Sequence, residues 1–330
     1  MCKSLSDTFL CRWTPLFLAM SLIDKRIHSR ILEKKKRLDA LRPLPADLIA
    51  RLRRELMVEY TYDSNAIEGS SLTLRETRLV VEEGFTVAGK PLRDFVVARN
   101  HPEALRYVEE LVQGGRVVDE AAVLELHRLV LKGVVEDAGR YRSSGVTIAG
   151  ATFLPPPSRE VVPRMLELLR WLRENPDELS PIAQAAVFHY RFVQIHPFAE
   201  GNGRAARLLM NVVLMRNGYP FIANVTFRER ARYLRTLSEA DLGDMTPFVN
   251  FVARSVENAL DVYLRAVEEP DVLSLSEASQ LVPYSQEYLS LLARKGAIAA
   301  FRRGRNWYIT SEELDRYVKS VELKKSRARP

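Results

Sequence analysis

Two apolar helical patterns, separated by a turn with two glycines, fix the centre of this chain. Ile182–Val193 repeats apolar side chains at helical spacing, and that helix has to stop near His196 because Pro197 disfavours helical backbone in the residue before it. Ala205–Leu214 reads as a second apolar helix. Between them, Gly201 and Gly203 permit left-handed backbone and leave amide groups open to a ligand. A helix that begins just beyond such a turn directs unpaired N–H groups and the positive end of its dipole outward, which suits an anion. Arg204 and Arg207 are three apart, so they share one helix face and both reach that anion. Glu200 offers a hard oxygen ligand suited to magnesium, and His196 a base that titrates near neutral pH. Base, metal ligand, amide cradle and two cations in one short run describe a site that transfers a nucleotide or a phosphoryl group.

The whole run, His196-Pro197-Phe198-Ala199-Glu200-Gly201-Asn202-Gly203-Arg204-Ala205-Ala206-Arg207, resembles the signature of the Fic (filamentation induced by cAMP) family, His-x-Phe-x-(Asp/Glu)-Gly-Asn-Gly-Arg-x-x-Arg. It matches that pattern at every fixed position. The resemblance implies transfer of AMP from ATP onto a hydroxyl of a target protein or of the chain itself. It implies that His196 deprotonates the hydroxyl, that Glu200 holds magnesium, and that Gly201, Asn202, Gly203 and Arg204 cradle the phosphates. Arg207 then grips the γ-phosphate and Phe198 anchors the turn in the core. A subfamily that phosphorylates its targets has lysine in place of the second glycine; Gly203 here favours adenylylation.

Upstream, Tyr62–Ser71 contains Ser64, Glu68 and Gly69, which resemble the family's inhibitory motif, (Ser/Thr)-x-x-x-Glu-(Gly/Asn). A carboxylate delivered beside Arg207 forms a charge-assisted pair with it and takes the γ-phosphate position. The motif precedes the catalytic run, so the resemblance implies self-inhibition within one chain. The same residues also read as a helix C-terminus followed by Ser/Thr capping of the next helix, Leu72–Gly84, and the two readings are compatible. At the same site, Glu68 orienting water would make the reaction the removal of AMP from a target.

Gly145–Pro157 alternates Val146 and Ile148 around Thr147 and then turns at Ala149-Gly150, the pattern of a β-hairpin in an otherwise helical chain. A strand edge pairs with an extended segment of another protein. By resemblance Val146, Thr147 and Ile148 form the flap that docks the target; the alternative is a loop stiffened by its three prolines. His127 reads as structural, since nothing near it in sequence completes a triad. After the polar stretch Glu268–Asp271, two short helices, Leu275–Leu281 and Ser285–Gly296, precede a two-stranded wing over Ala299–Ile309 and a last helix, Ser311–Val318. This resembles an excisionase/MerR-like winged helix-turn-helix. Arg302, Arg303 and Arg305 suit phosphate contacts to DNA by residues 271–330. Such modules also dock proteins, and Glu287 on the second helix leaves that alternative open.

The expected architecture is therefore mainly α: a Fic-type helical bundle with a β-hairpin flap and a small C-terminal winged helix-turn-helix. Residues 1–19 read as a disordered or misassigned extension, 20–89 as N-terminal helices with the inhibitory motif and 90–268 as the catalytic domain. Residues 271–320 then form the winged unit and 321–330 a basic tail. The two cysteines, Cys2 and Cys11, lie in the extension, which excludes a disulfide framework and cysteine-bound zinc and points to a reducing cytoplasm. A net charge of +7 permits an acidic partner without establishing one. Thr14–Ile23 is too short to span a bilayer, no phosphate-binding P-loop occurs, and a homodimer is compatible with a helical body.

Overall fold

The computed structural model describes residues 22–148, 153–223, 225–269, 271–303 and 306–327. The expectations for residues 1–19, the Ala149-Gly150 turn and Arg305 fall outside them. By internal contacts the chain divides into two compact units, Met1–Ala40 with Leu56–Asp261 and Leu41–Glu55 with Val262–Pro330.

The first unit is helical. Its helices are α1 (Lys25–Ala40), α2 (Ala46–Ile67, which runs in from the second unit), α3 (Leu74–Arg78), α4 (Leu92–Gln113), α5 (Glu120–Leu131), α6 (Val161–Glu174), α7 (Pro181–Ile195), α8 (Asn202–Arg216), α9 (Arg230–Asp241) and α10 (Thr246–Glu268, which runs out into the second unit). Three of these starts have a clear local cause. Ser180 caps α7 by accepting from Ala183 N–H, with Pro181 in the first turn where its missing N–H costs nothing. Asp119 caps α5 through Ala122 N–H, and Thr73 with Glu76 forms a reciprocal capping box at α3. The capping expected after Gly69 is thus present.

α7 and α8 form the centre. α8 is buried at every position from Arg204 to Leu214, and α7 at every position from Ile182 to His189, so both are enclosed rather than amphipathic. α4 and α5 pack on α8, and α6 packs on α7. Phe188, Phe192 and Phe198 are fully buried, each withdrawing apolar surface worth about 1.5–3 kcal/mol. The turn between α7 and α8 is therefore held at both ends by the best-packed helices of the unit.

Residues 145–148 adopt no regular structure, and neither do Leu154–Pro157. Pro155, Pro156 and Pro157 have no N–H to donate, so this return segment cannot complete a strand ladder. Val146 and Ile148 are half-buried and Thr147 exposed, so the expected alternation of faces is kept without strand pairing.

The second unit adds β1 (Val272–Ser274), α11 (Leu275–Leu281), α12 (Gln286–Arg294), β2 (Phe301–Arg303), β3 (Asn306–Thr310) and α13 (Ser311–Arg327). Its sheet runs β1-β3-β2, antiparallel throughout, with Leu273 opposite Ile309 and Phe301 opposite Tyr308. Sequence patterning shows two strands of this sheet; β1 has three residues, too few for a period of two to be seen. Leu273, Leu275, Ala278, Leu289, Leu292, Ile298, Ile309 and Leu314 make its core. α13 continues through Arg327, well past Val318, so the residues read as a basic tail begin inside a helix. Glu312 and Glu313 in its first turn suit the positive end of the helix dipole.

Candidate functional site

His196 ends α7 in the left-handed conformation, φ 50° and ψ 60°, with its N–H bonded to Phe192 O. That conformation swings its imidazole out of the helix. Nδ1 lies 3.2 Å from Val193 O, so Nδ1 carries the proton as donor to the carbonyl and Nε2 is left as the basic nitrogen. Burial pushes the imidazole below its ordinary value and the Arg142 guanidinium adds to that, against the Val193 carbonyl and the Glu68 carboxylate. The ring is neutral at pH 7, as a base must be.

The rest of the turn is clamped by its own groups. Asn202 Oδ1 accepts from Phe198 N–H at 2.9 Å, and Asn202 Nδ2 donates to Phe198 O at 2.9 Å. Oδ1 and one N–H of Nδ2 thus shape the turn, and the amide keeps a second N–H. Gly201 has φ 78°, and a β-carbon there would lie 2.6 Å from Leu131 Cδ1. The glycine is needed on both counts.

His127 proves to be a support of this turn. Its Nδ1 accepts from Gly139 N–H (2.9 Å), which makes Nε2 the donor to Glu200 O (2.8 Å). Its ring stacks on Phe198 with centroids 3.6 Å apart and planes within 3°. Burial, with Arg204 acting in the same sense, pushes its pKa down to about 4. His127 therefore stays neutral and works as a strut. The reading of His127 as structural holds, and its partners Gly139 and Glu200 meet it only in the fold.

Arg207 is almost wholly enclosed at 1 % exposure. Its Nε donates to Ser64 Oγ (3.1 Å), and Nη2 donates to Ser64 O (2.9 Å) and Glu68 Oε1 (2.8 Å). Burial acts to lower the guanidinium pKa and to raise that of Glu68. Their mutual attraction outweighs both effects, so Arg207 is held up and Glu68 down, as an ion pair. A β-carbon on Gly203 would lie 2.3 Å from Glu68 Oε1, so the carboxylate rests directly against the glycine backbone. Arg207 Nη1 and Arg204 Nε are buried without a hydrogen-bond partner among the described residues. Two donors remain for an incoming anion. The structure thus brings Ser64, Glu68, Gly203 and Arg207 together, with Gly69 at φ 97° turning the chain away beyond α2. Arg230 Nε donates to Ile67 O (2.8 Å) and closes the end of that helix.

Glu200 is more open, its side chain 37 % exposed. Its Oε1 pairs with Arg204 Nη2 at 3.1 Å and with Arg93 at the start of α4, a partner the sequence reading did not single out. Among the described residues no group of three or more His, Cys, Asp or Glu is placed to hold a metal by itself. One accessible carboxylate fits a magnesium ion that takes its other ligands from water and substrate phosphates. No described helix is long and apolar enough to cross a membrane.

In the second unit Arg302 is exposed on β2 opposite Trp307, and Arg303 stands opposite Asn306. On α12, Leu289, Leu292 and Ala293 face inward, while Gln286, Glu287, Tyr288, Leu291 and Arg294 are exposed.

Residues 117–214 match the profile of the Fic/DOC family, and residues 272–321 match that of a helix-turn-helix domain. A protein adenylyltransferase Fic from Nematostella vectensis is 38% identical over 247 residues, 73% of this chain and 56% of the relative. The chain spans about half the length of the curated relatives it matches. A Fic domain containing signaling protein from Bacteroides thetaiotaomicron superposes with a TM-score of 0.67 at 30% identity, covering 72% of this chain and 97% of that one. Fic-1 from C. elegans gives a TM-score of 0.67 at 31% identity, covering 81% of this chain and 79% of that one. With 30% identity over nearly the whole of the Bacteroides structure, the chain belongs to the Fic/DOC family.

Proposed function

We propose that this chain is a self-inhibited protein adenylyltransferase, moving AMP from Mg-ATP to a hydroxyl side chain of a target protein or of itself. The observation that carries the reading is the Glu68–Arg207 pair at 2.8 Å, lying against the backbone of Gly203. A buried cation at the mouth of an amide-lined turn requires an anion, and within the chain a carboxylate fills that need. Once ATP displaces it, Arg207 and Arg204 offer the terminal and inner phosphates the donors now engaged or unused.

His196 Nε2 takes the proton of the incoming hydroxyl. Its oxygen bonds to the α-phosphorus as the bond from that phosphorus to the α–β bridging oxygen breaks, and pyrophosphate leaves. Glu200 is the residue that would hold magnesium, whose charge offsets that of the phosphates. Glu68 in place keeps the γ-phosphate from its seat, so the transferring pose is not reached. The C-terminal unit supports a second activity, binding of DNA through residues 271–330, because it matches a helix-turn-helix and exposes Arg302.

Incubation with α-labelled ATP and magnesium tests the reading. The Glu68→Gly chain is expected to label itself or lysate proteins well above the unsubstituted chain, and Glu68→Gly/His196→Ala to label nothing. Equal labelling with and without Glu68 would sink the inhibition. Release of AMP from a labelled target by the unsubstituted chain would reverse the direction of the reaction.

A further inference from the structure

Arg142 is buried to 4 % exposure, yet its charge meets carbonyls rather than a carboxylate. Nε donates to His196 O (2.7 Å), Nη1 to Ser144 O (2.9 Å), and Nη2 to Pro156 O (2.5 Å) with a longer contact to Ile195 O (3.4 Å). Those acceptors belong to three separate stretches of chain. Ser144 and Pro156 flank the segment that carries Val146, Thr147 and Ile148, while Ile195 and His196 are the end of α7 and the base itself. The backbone N–H of Arg142 also donates to Pro197 O at 3.0 Å.

We propose that Arg142 is the positioning residue that sets the target-docking segment against the base. The inference rests on the transferase reading above. With no strand ladder in residues 145–148 or 154–157, nothing regular fixes the distance between the two ends of that segment or their distance from His196. The guanidinium does this work. It is planar, its donors are spread over a rigid fork, and it stays charged, so three carbonyls from three directions are held at fixed spacing. A lysine ammonium is a single point and cannot span them. Burial lowers the pKa of Arg142 without a carboxylate to restore it, the state of a cation kept for geometry. Arg142 makes none of the Arg207 contacts, which run to Ser64 and Glu68.

The role separates two quantities that a general loss of packing would move together. In the Glu68→Gly chain, Arg142→Gln is expected to leave ATP affinity unchanged while labelling of protein hydroxyls by α-labelled ATP and magnesium falls about 10²-fold, the scale for a misplaced acceptor. Arg142→Lys is expected to recover a small part of the loss. The main-chain bond to Pro197 survives both substitutions. Should Arg142→Gln not fold, the lysine variant decides alone by the same split. ATP affinity falling in step with labelling in the folded variants would make Arg142 a support of the core and overturn the proposal. So would undiminished labelling. A Glu68→Gly parent that labels nothing refutes the transferase reading, and this inference with it; a labelling parent indifferent to Arg142 refutes the inference alone.

Discussion

The turn from His196 to Arg207 and the outward face of α12 both rest on well-buried helices, yet they are constrained to very different degrees. In the turn the polar groups have defined partners: His196 Nδ1 has the Val193 carbonyl, Asn202 the backbone of Phe198, and Arg207 both Ser64 and Glu68. Phe198 lies beneath it, stacked on His127. On α12 the buried side, Leu289, Leu292 and Ala293, is equally definite, but Glu287, Tyr288 and Leu291 stand exposed. An enclosed polar site restricts its occupant, because each unmatched buried group costs about 1–3 kcal/mol. An exposed helix face carries no such restriction. The chemistry of the first region can therefore be read closely, and the second reads only as a binding face.

Four measurements break or sharpen that contrast. The largest effect is expected at the base: His196→Ala in the Glu68→Gly chain lowers AMP transfer by about 10²–10⁴, the usual contribution of a positioned base. A fall below tenfold would place the proton elsewhere. Next, Phe198→Ala is expected to cost about 3–5 kcal/mol of stability in denaturant unfolding. Leu291→Ala on the exposed face should change stability by about 0.5 kcal/mol or less, and similar losses at both sites would erase the contrast.

Acidity gives a third, smaller effect. His196 must be neutral to accept a proton, and burial with Arg142 holds its pKa below the ordinary value. The transfer rate therefore persists as pH falls through about 6.5 and drops only below it. A rate already halved above that pH would contradict the assignment. The smallest effect belongs to the second unit. If the full chain binds duplex DNA at low salt, Arg302→Ala is expected to weaken binding evenly across sequences and to reduce the salt slope by about 1. Salt-independent binding would point to a protein partner instead.

Much of the fold was legible because its signals are local. Ser180-Pro181, Asp119 and Thr73–Glu76 announce their helices within four residues, and the uninterrupted apolar character of α7 and α8 marks them as the centre. Alternation in Val146–Ile148 reports which side chains are covered, while the described residues of that segment adopt no regular structure and Pro155–Pro157 lack ladder donors. Among site residues, His127, Arg93 and Arg142 carry no local signal of their roles. Each acts through backbone or side chains many residues away.

Sequence alone determined the order of base, carboxylate, glycines and arginines in the turn, since backbone freedom and helix periodicity are properties of neighbouring residues. Tertiary structure decided which groups answer one another. Glu68 reaches Arg207 across 139 residues, and Asn202 turns inward to the backbone of Phe198. Arg142 gathers three stretches of backbone about His196. Such pairings depend on how packed helices bring distant segments together and on which buried charges then need a partner, and neither is encoded in spacing along the chain.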